Sequence, residues 1–207
     1  MNTESGNYKN IHYGDILIKF STLVDSKIDF IPFINKTVNV SSKMNLLKDG
    51  DIVIADTAED YSAGKAIEII VGDDKVLSGL HTIPCRPRFS FSSGYLGYYL
   101  NSYPFRKQLL PLIQGIKVYS VSKYMFNSLF ISYPSLEEQQ NVSDFLLKID
   151  QRINTQNNII RVFESLIKSV TTKIYNRYKR KIKISNLVTF EKKTLHKSQD
   201  GLSRDLD

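Results

Sequence analysis

The sequence contains one cysteine, Cys85, and no tryptophan among its 207 residues. A single thiol excludes an internal disulfide and a zinc site built from cysteines, so we expect a reducing, cytoplasmic compartment. No stretch approaches the roughly 20 consecutive apolar residues of a transmembrane helix, and the polar first ten residues are unlike a signal peptide. We therefore expect no membrane association.

Acidic residues are absent from positions 75–136, which carry seven lysines and arginines. The preceding residues 1–74 hold 12 acidic and seven basic side chains, whereas the whole chain has a net charge of +7. A stretch with charge of one sign is typical of a surface that faces phosphates. Charge runs are as often solvated faces, so this pattern alone does not decide between the two interpretations.

Short apolar or alternating runs separated by turn residues precede Pro134 and predict an α+β domain. The predicted strands are residues 14–20, 50–55, 65–71, 76–84 and 129–133. Two helices are predicted at residues 92–102 and 104–114, and Pro111 should kink or shorten the second because proline lacks the N–H of a helical hydrogen bond.

Glycine and proline are absent between Pro134 and Gly201. Ser135 and Glu138 have the spacing of a capping box, which predicts a helix start. Apolar residues then recur at alternating steps of four and three, with Gln156 as the polar exception. We call these positions the heptad seam: Val142, Leu146, Ile149, Ile153, Gln156, Ile160, Phe163, Ile167, Val170, Ile174 and Tyr178.

The heptad seam predicts one helix over residues 136–178, about 65 Å long at a rise of 1.5 Å per residue. Such a helix cannot fold back on a domain of this size along its whole length, so its seam needs a partner helix. A helical hairpin that bends at residues 154–158 is the alternative. After the predicted helix comes a basic and polar tail, residues 181–207. We expect a possible strand at residues 182–190 and fraying after Lys193.

No pattern of catalytic residues stands out. The chain lacks a phosphate-binding loop and a dinucleotide fingerprint, and its three histidines lack metal-ligand spacing, so we expect no cofactor, no metal and no enzymatic activity. A metal-dependent nuclease remains an alternative, with candidate ligands Asp56, Glu59, Asp60 or Glu191.

Three loops, residues 60–65, 86–88 and 115–123, combine basic, aromatic and hydroxyl side chains, the set that contacts phosphates and base edges in nucleic acids. Gly64 in the loop 60–65 would allow the backbone to approach a ligand closely. The candidate DNA-binding residues in these loops are Tyr61, Ser62, Lys65, Arg86, Arg88, Lys117, Tyr119, Ser120 and Lys123.

Residues 131–153, ISYPSLEEQQNVSDFLLKIDQRI, resemble the conserved region of specificity subunits of type I restriction–modification systems. The family pattern is a proline, a short gap, a Glu-Gln pair and an amphipathic run that ends near an aspartate. It is matched here by Pro134, Leu136, Glu138, Gln139, Phe145, Leu146 and Asp150. Residues 50–67, 78–88 and 115–122 also resemble one class of target recognition domain in that family.

The resemblance implies a DNA-recognition protein without catalysis, in which a target recognition domain, residues 1–134, precedes a conserved helix, residues 135–180. Full-length specificity subunits resemble two tandem copies of this unit with antiparallel helices, and each domain reads half of a bipartite double-stranded DNA site. This chain holds one copy and thus resembles a half-length form.

We therefore expect a homodimer through antiparallel helices. Methyltransferase (modification) subunits would dock on it, and the restriction subunit would associate through them. A coiled-coil interaction protein that does not bind DNA remains the alternative.

Overall fold

Two four-stranded sheets and a two-stranded ribbon precede the long helix in the computed structural model, which describes residues 2–3, 5–35, 46–178 and 182–189. The strands are β1 (Asn2–Thr3), β2 (Lys9–Ile11), β3 (Leu23–Asp25), β4 (Phe33–Ile34), β5 (Asp51–Ala55), β6 (Thr57–Ala58), β7 (Ala66–Ile70), β8 (Val76–Ser78), β9 (Thr82–Cys85) and β10 (Tyr119–Ser120). The first sheet has the order β1-β4-β2-β8 and the second β3-β7-β5-β9, while β6 pairs with β10 in the ribbon.

Strand β5 lies inside the second sheet and is buried along its whole length. Ile52 and Ile54 pack into one apolar cluster, whereas Val53 and Ala55 pack into another. Successive side chains of a strand point to opposite faces, so a continuous apolar run fits a strand that is covered on both sides. The strands predicted at residues 50–55 and 65–71 are confirmed by β5 and β7.

Each face of the second sheet has its own covering layer. On one face, Ile11 of β2 and Val76 of β8 join the cluster of Val53, so the two sheets share this part of the core. On the other face lie two helices, α1 (Tyr95–Asn101) and α2 (Tyr103–Leu109), which confirm the predicted pair. Helix α2 gives way to a 3₁₀ turn that contains Pro111, as the missing proline N–H predicts.

A buried carboxylate holds the start of α1 against the sheet. Glu68 of β7 accepts hydrogen bonds from the backbone N–H groups of Gly94, at 2.7 Å, and Gly97, at 3.1 Å. Burial raises the pKa of Glu68, and these backbone hydrogen bonds oppose that rise without cancelling it. Gly97 has no room for a side chain, since a Cβ there would lie 3.0 Å from Glu68 Cβ.

Two predicted strands are wrong. Residues Asp15–Lys19 form a π-helical turn, in which the Asp15 carboxylate accepts hydrogen bonds from the His12 N–H and from Lys19 Nζ. The alternating pattern is overridden because the Asp15 side chain binds the backbone N–H of His12 just before the turn. Residues 129–133 are not a strand either, since their backbone is bonded by side chains: Gln108 pairs with both backbone groups of Phe130.

Two further predictions are corrected in detail. Residues 76–84 form two strands, β8 and β9, because the chain turns at His81, which has a φ of 54°. In the predicted strand 182–190, the structure has a short helix, α4 (Ile184–Leu187). Phe190 and the rest of the tail lie outside the described residues.

The long helix α3 spans Leu136–Arg177 and has no break at residues 154–158, so the hairpin alternative is not what forms. Its start is the predicted capping box: the Glu138 carboxylate accepts from Ser135 N–H at 3.1 Å, and Glu138 N–H donates to Ser135 Oγ at 3.3 Å. The α+β class with one long helix is confirmed. The chain divides into two units, residues 1–156 and 157–207, so α3 begins in the first and ends in the second.

Gln139 joins the start of α3 to the sheet domain. Its side chain is 2% exposed. The amide oxygen accepts from Ser92 N–H at 3.1 Å, and the amide nitrogen donates to the Pro134 carbonyl at 2.9 Å. Ser92 Oγ adds a hydrogen bond to the carbonyl of Leu136 at 2.8 Å. One side chain therefore satisfies two backbone groups from different segments.

Replacing Gln139 by alanine should leave the Ser92 N–H and the Pro134 carbonyl without partners. A buried polar group that loses its partner costs about 1–3 kcal/mol, so we expect Gln139→Ala to lower the free energy of unfolding by about that amount in urea titrations. The matched control is Gln140→Ala, because among the described residues the exposed Gln140 amide bonds only to Asp144 within the helix. Equal stability of the two variants would contradict the role given to Gln139.

Candidate nucleic-acid interface

Two of the three predicted loops meet at one end of β5. Strand β6 follows β5 directly and pairs antiparallel with β10, so that Thr57 faces Ser120 and Ala58 faces Tyr119. The turn at His81 adjoins them, since its carbonyl accepts from the Asp56 N–H at 3.1 Å. We call residues 56–62, 79–82 and 116–123 the loop cluster.

An aromatic pair forms part of the loop cluster. The ring centroids of Tyr61 and Tyr119 are 4.6 Å apart and the rings are tilted by 39°. A hydrogen bond with Tyr61 raises the pKa of Tyr119. A tyrosine hydroxyl can donate as well as accept a hydrogen bond. Tyr61 is exposed, and Ser120 beside Tyr119 is exposed as well. The pair thus places one exposed and one half-buried tyrosine in the loop cluster.

Lys65 and Gly64 support the loop cluster from within the fold. Lys65 Nζ donates to the Leu17 carbonyl at 3.2 Å, and burial lowers its pKa. Gly64 has a φ of +84°, and a Cβ there would lie 2.5 Å from Leu109 Cδ2. The close approach that glycine allows is therefore to helix α2, and no ligand is needed to explain it.

Arg106 of α2 holds the same turn. Its Nη1 donates to the Ala63 carbonyl at 2.8 Å, and its Nη2 donates to the Tyr61 carbonyl. Arginine can bind two carbonyls at once because its guanidinium is a planar fork of donors. These contacts of Arg106 with the Ala63 and Tyr61 carbonyls were not predicted from the sequence, in which Arg106 is recognisable only as a basic residue.

The charges of the loop cluster are mixed. Lys117 and Lys123 are exposed, and so are Glu59 and Asp60. Hydrogen bonds with Ser62 lower the pKa of Asp60, and His81 Nδ1 lies 3.2 Å from Asp56 Oδ1. Among the described residues no three histidines, cysteines or carboxylates are grouped to hold a metal ion. Glu191, the remaining candidate of the nuclease alternative, lies outside the described residues.

A cavity of about 460 Å³ adjoins the loop cluster. It lies between the π-helical turn and the ribbon, and its walls include Tyr13, Ile18, Thr57, Glu59 and Val118. Sequence reasoning missed this cavity because it treated residues 14–20 as a strand. The apolar alternation of those residues gave no signal of a turn.

Arg86 and Arg88 lie at the opposite end of β5. Strand β9 runs antiparallel to β5, with Cys85 facing Ile52 and Thr82 facing Ala55, so the residues after Cys85 leave the sheet away from the loop cluster. Arg86 binds the buried Asp51 carboxylate with two hydrogen bonds, Nε at 2.8 Å and Nη2 at 2.6 Å. Hydrogen bonding to Asp51 raises the pKa of Arg86, and the guanidinium is engaged within the fold.

Arg88 differs from Arg86 in its surroundings. Its side chain is exposed and makes no hydrogen bond or ion pair with another described residue. The structure thus divides the nine candidate DNA-binding residues into a group of seven at or beside the loop cluster and the pair Arg86 and Arg88 at the other end of β5.

Helix α3 contacts the sheet domain through a polar face. Gln139 and Ser143 are buried, Tyr98 Oη donates to Asp150 Oδ2 at 2.8 Å, and Asn154 Nδ2 donates to Ser21 Oγ at 3.2 Å. These positions recur at helical spacing and define one side of the helix. Ser143 Oγ has no hydrogen-bond partner among the described residues.

The heptad seam occupies the neighbouring face and stays exposed. Leu146 is half-buried, whereas Val142, Ile149 and Ile153 are 41–50% exposed. In the second unit the seam residues are exposed too, at Ile160, Phe163, Ile167, Val170 and Ile174. These exposed apolar residues keep the spacing that is typical of a coiled-coil seam.

Comparison with known proteins identifies the chain. The family model described as type I restriction modification DNA specificity domain matches residues 3–165. No match was found among curated proteins. In the part of the chain that the structure describes, no helix has the length and apolar character to cross a membrane. With about four fifths of its length matched, the chain belongs to the family of type I restriction–modification DNA specificity domains.

Proposed function

We propose that this chain recognises one half of a bipartite double-stranded DNA site through the loop cluster, without catalysing a reaction. The observation that carries the proposal is the β6–β10 pairing, which brings two predicted loops into one surface. Family membership gives the general role in DNA specificity, and the pairing supports the loop cluster as the recognition surface.

The side chains of the loop cluster suit both parts of DNA recognition. Lys117 and Lys123 can neutralise phosphates, which supplies affinity without sequence information. Ser120, Thr57 and Glu59 can exchange hydrogen bonds with base edges, and carboxylates are the groups that accept from the cytosine amino group. The cluster therefore combines positioning and discriminating contacts within one small surface.

The proposal extends to assembly. Helix α3 uses its polar face for its own domain and keeps the heptad seam exposed, so a second copy can pack its seam antiparallel against it. Two copies would then hold two domains at a set distance, as two half-sites require. Modification subunits would dock on this helical region, and the restriction subunit would join through them.

Substituting the two exposed lysines of the loop cluster should lower the affinity for DNA and make that affinity less dependent on salt concentration. We expect Lys117→Ala with Lys123→Ala to reduce the slope of log K against log[salt] by about 0.9 for each phosphate that is no longer neutralised. The measurement is a salt titration of the complex with its modification subunit on a duplex selected from random sequences.

The matched control for this titration is Lys48→Ala with Lys107→Ala, which removes two exposed lysines outside the loop cluster. Its slope should equal that of the wild type. DNA affinity that does not change with salt, or equal slopes for both double variants, would contradict the proposed surface.

A polar substitution in the heptad seam should separate the two copies. Burial of an isoleucine contributes about 1.5–3 kcal/mol, and each copy loses one, so Ile167→Asn should weaken the dimer at least tenfold in sedimentation equilibrium. Leu166→Asn is the control, because Leu166 is a neighbouring exposed residue outside the seam. A wild-type chain that is monomeric at all concentrations would refute the homodimer.

A further inference from the structure

An open apolar cleft lies beside the Arg88 end of β5. Its volume is about 420 Å³, within the range of roughly 300–1,000 Å³ that is usual for binding pockets. The buried side chains of Ile52, Leu96, Leu100 and Phe105 form its floor. Sequence reasoning gave no sign of it, because its walls come from segments that are distant along the chain.

Two aromatic residues stand at the mouth of this apolar cleft. Phe89 is 76% exposed and Tyr133 is 65% exposed, although both line the cleft. Large aromatic side chains beside an open apolar pocket are typical of protein contact sites, where a few buried anchors carry most of the binding free energy. The mouth therefore has the composition of an interaction surface.

The mouth of the apolar cleft lies at the end of β5 away from the proposed DNA surface. Phe89 follows the end of β9 that faces Ile52, whereas the loop cluster follows the end of β5 at Ala55. The cleft instead adjoins the start of α3: the rings of Phe91 and Tyr133 are 5.7 Å apart, and Ser92 bonds to Leu136. A partner in the cleft would thus contact both the domain and the base of the helix.

Charge narrows the chemistry of the partner. Arg86 at the rim is already bound to Asp51, but Arg88 has no partner among the described residues and stands at the same rim. An exposed guanidinium beside an apolar pocket complements an apolar side chain that is followed or preceded by a carboxylate.

We propose that the apolar cleft receives an apolar side chain flanked by a carboxylate from the modification subunit. This inference rests on the proposed function, which has that subunit dock on the helical region, and it adds a specific contact on the domain. The apolar anchor would fill the floor, and the carboxylate would bind Arg88.

Substitutions at the mouth test the contact in calorimetric titrations of the full chain with its modification subunit. Phe89→Ser and Arg88→Glu should each raise the Kd at least tenfold. Two matched controls, Phe130→Ser and Lys107→Glu, should change it less than twofold: Phe130 is 78% exposed but does not line the cleft, and Lys107 is an exposed cation on α2.

A second measurement needs no variant. Cys85 lines the cleft and is the single cysteine of the chain, so its alkylation by N-ethylmaleimide reports on the occupancy of the cleft. Mass spectrometry of the Cys85 peptide should show alkylation at least fivefold slower with the modification subunit than without it.

The outcomes separate this inference from the proposed function. If the wild-type chain binds the subunit but Phe89→Ser and Arg88→Glu bind equally well, or Cys85 is not protected, the cleft proposal fails alone. If Arg88→Glu weakens DNA binding and leaves subunit binding intact, Arg88 contacts DNA and the proposal also fails. If the wild-type chain does not bind the subunit, docking itself is refuted together with the cleft.

Discussion

The buried amide of Gln139 is the contact on which the arrangement of domain and helix depends. It forms hydrogen bonds with the Ser92 N–H and the Pro134 carbonyl. Without this amide, the two backbone groups would need water as their hydrogen-bond partner. Because an amide offers its oxygen and nitrogen in fixed directions, it sets which face of α3 meets the domain. The Glu-Gln pair of the family pattern thus has two separate tasks, since Glu138 caps the helix and Gln139 attaches it.

This attachment leaves most residues of the heptad seam exposed, with Leu146 half-buried. The side of the helix that includes Gln139, Ser143 and Asp150 packs against the sheet domain, so the heptad seam remains available for another chain. The helix therefore meets its own domain largely through polar groups and keeps apolar residues exposed on the adjacent face.

Much of the fold could be predicted from local patterns. The capping box at Ser135, the buried runs of β5 and β7 and the effect of Pro111 each depend on neighbouring residues only. The wrong strand at residues 14–20 arose because alternation can be overridden by side chains that bind the backbone, here Asp15.

The candidate site was less predictable because it depends on contacts between distant segments. Arg86 and its partner Asp51 are 35 residues apart, and nothing in their local sequence indicates that they pair. Arg86 and Lys65 are of residue types that commonly contact DNA, yet both bind partners within the fold. Only the topology of β5 and β9 shows that Arg88 and the loop cluster lie at opposite ends of the sheet.

In the proposed assembly, the attachment at Gln139 and a paired helix hold two recognition domains at a set distance. This arrangement is tested most directly by measuring how the assembled complex binds two inverted half-sites as the number of base pairs between them is varied. We expect one preferred spacing, with affinity falling at least tenfold when a few base pairs are added, because B-DNA rotates the second half-site out of line. Equal affinity at all spacings would contradict it.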